Sequence, residues 1–461
     1  MKNQLKYEGL YTKPKNMINL ERLIFLKERK RQIKPTVKLS SQLDQQVIEH
    51  IKNYLTQQKY RPLISNSFGN KQKKQQLRTI IHSYVSSQDF LKSYSALITD
   101  YSLEEISDTL VEKIAGLDVL QPLTEVPTIT DIKCFSYDNI WVDDINKGLY
   151  KVDIKFNNKQ DYLELCHRFA YASAKSFSNA RPSVNAQLPY MRVNFVGEDL
   201  STNISLAIRM ISKELRFDEK YMLETGYASQ PMIDLLKKTY ATESHLISGE
   251  PGTGKTEHLR YFARYTQENK VIIMIEDTPE TYLDELYPHK PIDMWKNREA
   301  SDDGKQSFGY EYHVQNAVRQ DPTYIFIQEV RSKEAIYVLE AAETSKVNNT
   351  IHGTSAFTAV NRFVSLCQKG QDHRDDYYGK RIVDGFTIGI HVERFGKIRK
   401  INQLVEYTGY ENNKAQANIL FEYDPISGKH VQKSTMSKEL WQRLEIHFGD
   451  ISDLECLSPT K

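Results

Sequence analysis

The chain has 461 residues, 39% of them hydrophobic, and its 62 Lys and Arg against 60 Asp and Glu give a formal net charge of +2. That balance excludes a surface built throughout to coat nucleic acid or an anionic membrane, and no apolar run nears the ~20 residues that span a bilayer. With 20 Gly, 15 Pro and four scattered Cys lacking any CxxC pair, collagen-like, Pro/Gly-rich and disulfide-framework classes are excluded too, leaving a multidomain protein of a reducing compartment.

The charge is unevenly spread. Residues 1–38 carry eleven Lys and Arg against Glu8, Glu21 and Glu28, a local +8 that leaves −6 for the remainder. The stretch shows no apolar signal-peptide core. A basic extension over 1–42 reads either as a solvated tail or as an arm for anionic lipid or nucleic acid. Over 43–124 the pattern is helical: Leu43, Val47, Ile48, Ile51 and Leu55 recur at three- and four-residue spacing, as do Leu103, Ile106, Leu110 and Ile114. Ser102 followed by Glu105 reads as a capping box and Gly116 as a helix stop. The segment 125–218 reads as a small α+β domain, with strands at Asn139–Val142, Tyr150–Ile154, Val193–Val196 and Ile204–Ile208 and a helix over Asp161–Ala174.

From 219 to 430 strands and helices alternate. Strands are expected at Ser244–Ser248, Val271–Ile275, Tyr324–Gln328 and Asn349–His352, with helices over Glu257–Tyr265 and Lys333–Glu343. That is the pattern of a parallel sheet flanked by helices. Thr387–Glu393, Ile398–Thr408 and Ile419–Tyr423 then suggest an antiparallel extension, and 431–461 reads as a C-terminal tail.

One motif carries chemistry. The stretch Gly249, Glu250, Pro251, Gly252, Thr253, Gly254, Lys255 and Thr256 fits G-x-x-x-x-G-K-[ST], with an apolar strand before it and a helix opening at Glu257. Glycines let the backbone approach phosphate oxygens, and successive N–H groups at a helix N-terminus hold the anion. Lys255 can bridge β- and γ-phosphates, and the Thr256 hydroxyl can ligate Mg²⁺. Glu329, closing the apolar strand from Tyr324, is the candidate acid for metal or water. A second acidic cluster, Glu276, Asp277 and Glu280, follows the strand at Val271, where open α/β sheets bind ligands; a surface turn at Pro279 is the plainer alternative.

Together these pieces resemble the hexameric ATPases of type II and type IV secretion and type IV pili, closest to the Tad-pilus and conjugation branch. The Walker A loop is Gly249–Thr256. The family's Asp box resembles Ile275–Glu280, its Walker B strand Ile325–Arg331, and its His box Thr350–Ala356. Upstream, Pro182–Pro189, Arg192–Val193 and Ser205–Arg209 resemble the end of the family's N-terminal domain. The resemblance implies a RecA-like P-loop ATPase domain preceded by a small PAS-like α+β domain and a helical region. It implies Glu280 as general base for water, Glu329 as the Walker B acid, His352 as γ-phosphate sensor, and Arg192 and Arg209 as cations reaching the triphosphate. The implied cofactors are ATP and Mg²⁺. The implied partners are further copies in a ring, expected as a hexamer, and an inner-membrane secretion, conjugation or pilus complex approached from the cytoplasm; direct nucleic-acid binding stays open. A RecA-like nucleic-acid translocase and an ATP-binding scaffold without turnover are the alternatives. Three departures stand out: Gln328 where the family has Gly, expected to crowd the metal's water shell; Lys346 in place of a His; and Tyr287–Gln306 as a lengthened polar loop.

Overall fold

The computed structural model describes residues 45–459 except 56–59, 69, 99–100, 217, 299–305, 372 and 397. The basic extension and Asp302–Lys305 of the polar loop lie outside the described residues. The chain divides into two compact units that meet between Ser212 and Lys213. No helix among the described residues is long and apolar enough to cross a membrane.

The first unit begins with helices at Gln45–Leu55, Arg61–Ser67, Lys71–Val85, Gln88–Tyr94 and Leu103–Ala115. The last starts at the expected capping box: the Ser102 hydroxyl accepts from Glu105 N, and Glu105 Oε2 accepts from Ser102 N at 3.0 Å. Six strands follow: β1 (Ile129–Ser136), β2 (Asn139–Asp144), β3 (Gly148–Lys151), β4 (Ser183–Leu188), β5 (Met191–Val196) and β6 (Ser205–Met210). They form one antiparallel sheet in the order β3-β2-β1-β6-β5-β4. Helix Lys159–Ala172 buries Tyr162, Leu165, Cys166 and Phe169. The helical stretch and the sheet, read from sequence as separate domains, close around a single core that runs from Val47 to Ile208. Phe68 packs on Phe169, and Arg168 donates to the Glu112 carbonyl at 2.9 Å.

The second unit holds nine strands: β7 (His245–Ser248), β8 (Ile272–Glu276), β9 (Ile292–Lys296), β10 (Tyr324–Val330), β11 (Lys346–Ile351), β12 (Ile388–Phe395), β13 (Ile398–Glu411), β14 (Lys414–Asp424) and β15 (Lys429–Gln432). Their order is β15-β14-β13-β12-β7-β11-β10-β8-β9. Strands β12, β7, β11, β10, β8 and β9 run parallel, and β13 to β15 continue antiparallel. Strands buried on both faces read as near-continuous apolar runs, and here alternate residues serve opposite faces. Ile247, Met274 and Phe326 pack under helices Gln230–Thr242 and Lys255–Phe262. Leu246, Ile275 and Ile327 pack under Tyr310–Val318, Ala335–Ala342 and Ala356–Gln368.

Three expectations change. Ile388–Phe395, expected in an antiparallel extension, is parallel to β7 with Ile388 opposite His245, because a crossover through helix Asp375–Gly385 reverses the chain first. Within Tyr287–Gln306 the chain forms β9 rather than loop, with Ile292 and Met294 packed against the core. Within 431–461, expected to trail as a tail, helix Lys438–Phe448 buries Leu440 and Leu444 in the core under β7.

Candidate nucleotide site

β7 lies between β11 and β12, so the loop leaving it emerges at the parallel strands' carboxyl edge with a parallel neighbour on each side. The glycines answer to geometry. Gly249, Gly252 and Gly254 have φ of 157°, 76° and 95°, which side chains disfavour, and a Cβ on Gly249 would strike the Val392 carbonyl. Lys255 opens the helix and is buried. Its Nζ donates to the carbonyls of Gly249 (2.7 Å) and Glu250 (3.0 Å). Burial pushes the ammonium down to about 8, with nearby Glu329 favouring the charge and Arg331 opposing it. Thr253 braces the loop by donating to Glu250 O at 2.8 Å. Glu257 accepts from Arg260 Nη1 and from Arg216 N at 3.2 Å, so its carboxylate is engaged in holding the helix.

Glu329 sits near the end of β10. Its Oε2 pairs with Arg331 Nη2 at 2.9 Å. Its Oε1 lies 2.7 Å from His352 Nε2, off the axis of a hydrogen bond, and is buried without one. His352 follows β11, and its Nδ1 is 3.4 Å from the Gly249 carbonyl. The structure therefore brings Lys255, Glu329 and His352 against the same loop from three adjacent strands. A buried carboxylate oxygen lacking a hydrogen bond is costly unless a cation or donor meets it. With the Thr256 hydroxyl in the first turn of the helix, these residues fit Mg²⁺ carried on a phosphate chain, which needs only one or two protein ligands.

Glu280 reaches this edge through its backbone. The buried carboxyl of Glu276 accepts from Glu280 N (3.0 Å) and Thr281 N (2.8 Å) and shapes the turn that presents Glu280, itself half-buried. Gln328 is held on the turn after β8. Strand alternation turns it away from Glu329, and its Oε1 accepts from Asp277 N (3.0 Å) and Thr278 N (3.4 Å), tying this turn to β10. Lys346 is exposed at the amino end of β11, opposite the edge that carries the site. Arg192 and Arg209 belong to the first unit, where β5 and β6 place them directly opposite each other; Arg209 also pairs with Asp131 at 3.0 Å.

Sequence reasoning assigned no role to three residues here. Arg331 bridges Glu329 and Asp277, the latter at 3.2 Å. His391, buried in the middle of β12, meets Ser248 Oγ at 3.0 Å and is pushed down to about 4 by burial and by Lys255. Arg399 donates to the Gly252 carbonyl at 2.9 Å. Asp277 stood in the acidic cluster, but its partner was invisible; the basic run around the β12–β13 turn was the available signal for Arg399.

A parallel sheet with a central P-loop strand, an acid on the second strand over and helices on both faces defines a RecA-like P-loop nucleotide-binding domain. Residues 173–373 match the family described as "Type II/IV secretion system protein". An uncharacterized protein of Bacillus anthracis is 25% identical over 415 residues, covering 86% of this chain and 89% of that one. A putative conjugal transfer protein of Mycobacterium tuberculosis is 26% identical over 258 residues, covering 53% of this chain and 71% of its own length. The Legionella pneumophila ATPase DotB, a solved structure, is 17% identical with a TM-score of 0.45, over 68% of this chain and 82% of that one.

Proposed function

We propose that this chain is a Mg²⁺-dependent ATPase that assembles as a ring, expected to be hexameric, and energises a type IV secretion, conjugation or pilus-type machine from the cytoplasmic face of the membrane. The observation that carries the reading is the meeting of Lys255, Glu329 and His352 at one P-loop. Lys255 exchanges its two loop carbonyls for phosphate oxygens. Glu280 takes a proton from the attacking water, and His352, already on the Gly249 carbonyl, reports the γ-phosphate to the loop. Arg192 and Arg209 supply positive charge from the first unit. Thr256 and Glu329 would hold Mg²⁺, which would supply neutralising charge to the phosphates.

Light scattering with and without ATP and Mg²⁺, coupled to phosphate release, tests the reading. Wild type should assemble and hydrolyse, and Lys255→Ala should do neither. Glu280→Gln should bind ATP with turnover reduced by about 10²-fold or more. A wild-type chain that stays monomeric and never releases phosphate overturns the proposal. Turnover that appears only with single-stranded DNA, and collapses with salt, reassigns the work to a nucleic acid.

A further inference from the structure

The hairpin joining β12 and β13 stands beside the P-loop. β12 places His391 opposite Ser248, and the next carbonyl, of Val392, fills the space that Gly249 leaves by lacking a Cβ. Just beyond, the register sets Arg394 directly opposite Arg399. Like charges facing across neighbouring strands repel, and among the described residues neither guanidinium has a carboxylate partner. Arg394 donates its Nε to Gly396 O at 2.8 Å. Arg399 lies over the loop: its Nε donates to Gly252 O, and its Cδ is 3.3 Å from where a Cβ on Gly254 would stand. Its position is anchored from the next residue, since the buried Lys400 Nζ donates to the carbonyls of Thr225 (3.1 Å) and Gly226 (3.0 Å).

We infer that Arg399 is a phosphate-binding residue of the nucleotide site, with Arg394 reinforcing its field. The inference rests on the nucleotide reading above and extends it to a second cation that the P-loop motif does not contain. A guanidinium offers five N–H donors in a planar fork. With Nε on a loop carbonyl, those on the two Nη nitrogens remain for phosphate oxygens, a pairing that is short and strong. Two facing arginines without an acid carry a repulsion that a bound polyanion relieves. The loop thus holds its anion with one buried cation, Lys255, and one laid over it, Arg399.

The test uses the full-length chain, fluorescent ATP, inorganic pyrophosphate as competitor, and thermal unfolding with and without ATP. Arg399→Gln should weaken both ATP and pyrophosphate at least tenfold and shrink the ATP-induced rise in Tm. Its ligand-free Tm should stay level or rise, because a like-charge pair is gone. Arg399→Lys should lose less than Arg399→Gln, and Arg394→Gln should lose two- to threefold. Wild-type affinity in Arg399→Gln overturns the inference, as does a loss matched by a drop in ligand-free Tm, which marks a merely structural role. If Arg399→Gln fails to fold, wild-type affinity in both Arg399→Lys and Arg394→Gln overturns it equally. A wild-type chain that binds neither ATP nor pyrophosphate overturns the nucleotide reading itself, and this inference with it.

Discussion

Glu276 closes β8 with its carboxyl buried, accepting two backbone N–H groups, and burial still pushes it up to about 7. In the unfolded chain the same group titrates near the ordinary 4.5. Between those values the folded chain holds a proton that the unfolded chain has lost, so stability falls as pH rises through this window and levels off above about 7. Gln at this position keeps the accepting oxygen and removes the titration. The stability of Glu276→Gln relative to wild type should therefore grow by about 3 kcal/mol from pH 4.5 to 7, read by denaturant unfolding across that range. A pH-independent difference would remove this account of the turn. The neighbouring acids show how far spacing alone reads. Glu329 and His352 are legible because a strand end after an apolar run places them at the carboxyl edge. That Glu276 shapes the turn while Glu280 is presented by it depends on which carboxyl the sheet buries.

At the scale of elements, alternation along the buried strands decides more than composition does. Gln328 and Glu329 are adjacent, yet one fastens the turn after β8 and the other faces the P-loop, because successive side chains leave opposite faces of a strand. The helix Lys438–Phe448 joins the second unit's core through Leu440 and Leu444, and Arg443 meets the buried Glu243 at 3.2 Å. Leu444→Ala should cost about 2–4 kcal/mol in unfolding free energy. An unchanged Tm would show the segment to be dispensable. Gly389 in β12 is confined by its neighbour: a Cβ there would lie 2.5 Å from Tyr407 Oη, whose hydroxyl donates to the Ala356 carbonyl at 2.6 Å. Gly389→Ala should lower Tm and, because β12 backs the P-loop strand, weaken ATP binding; wild-type values for both would contradict that packing. The direction of β12 was not legible in its sequence, since an apolar run looks alike in parallel and antiparallel strands. The connection before it sets the direction.

For the whole molecule, the two units have separate cores, one from Val47 to Ile208 and one spread over both faces of the nine-stranded sheet. Residues Lys213–Lys461 should fold alone in a single cooperative transition followed by circular dichroism, and should bind fluorescent ATP through Lys255 and Arg399. The proposed function gives Arg192 and Arg209 a part in the chemistry, and on that proposal turnover by Lys213–Lys461 alone should fall well below that of the full chain. Full turnover by the isolated unit would dismiss both arginines from the chemistry. Local pattern could not foresee that the N-terminal helices and the antiparallel sheet share one core, since shared burial is a property of contacts such as Phe68 with Phe169.

By itself the sequence determined the P-loop, its glycine placements, the strand ends that carry Glu329 and His352, and the alternation that makes a parallel sheet. Those features are written in spacing over a few residues, where backbone conformation and burial period leave a direct imprint. The tertiary structure alone decided the company the loop keeps. Gly249 meets His352 from 103 residues away, and Gly252 meets Arg399 from 147. Such partners follow from strand order and from which face each strand buries, and neither is encoded within any short stretch of chain.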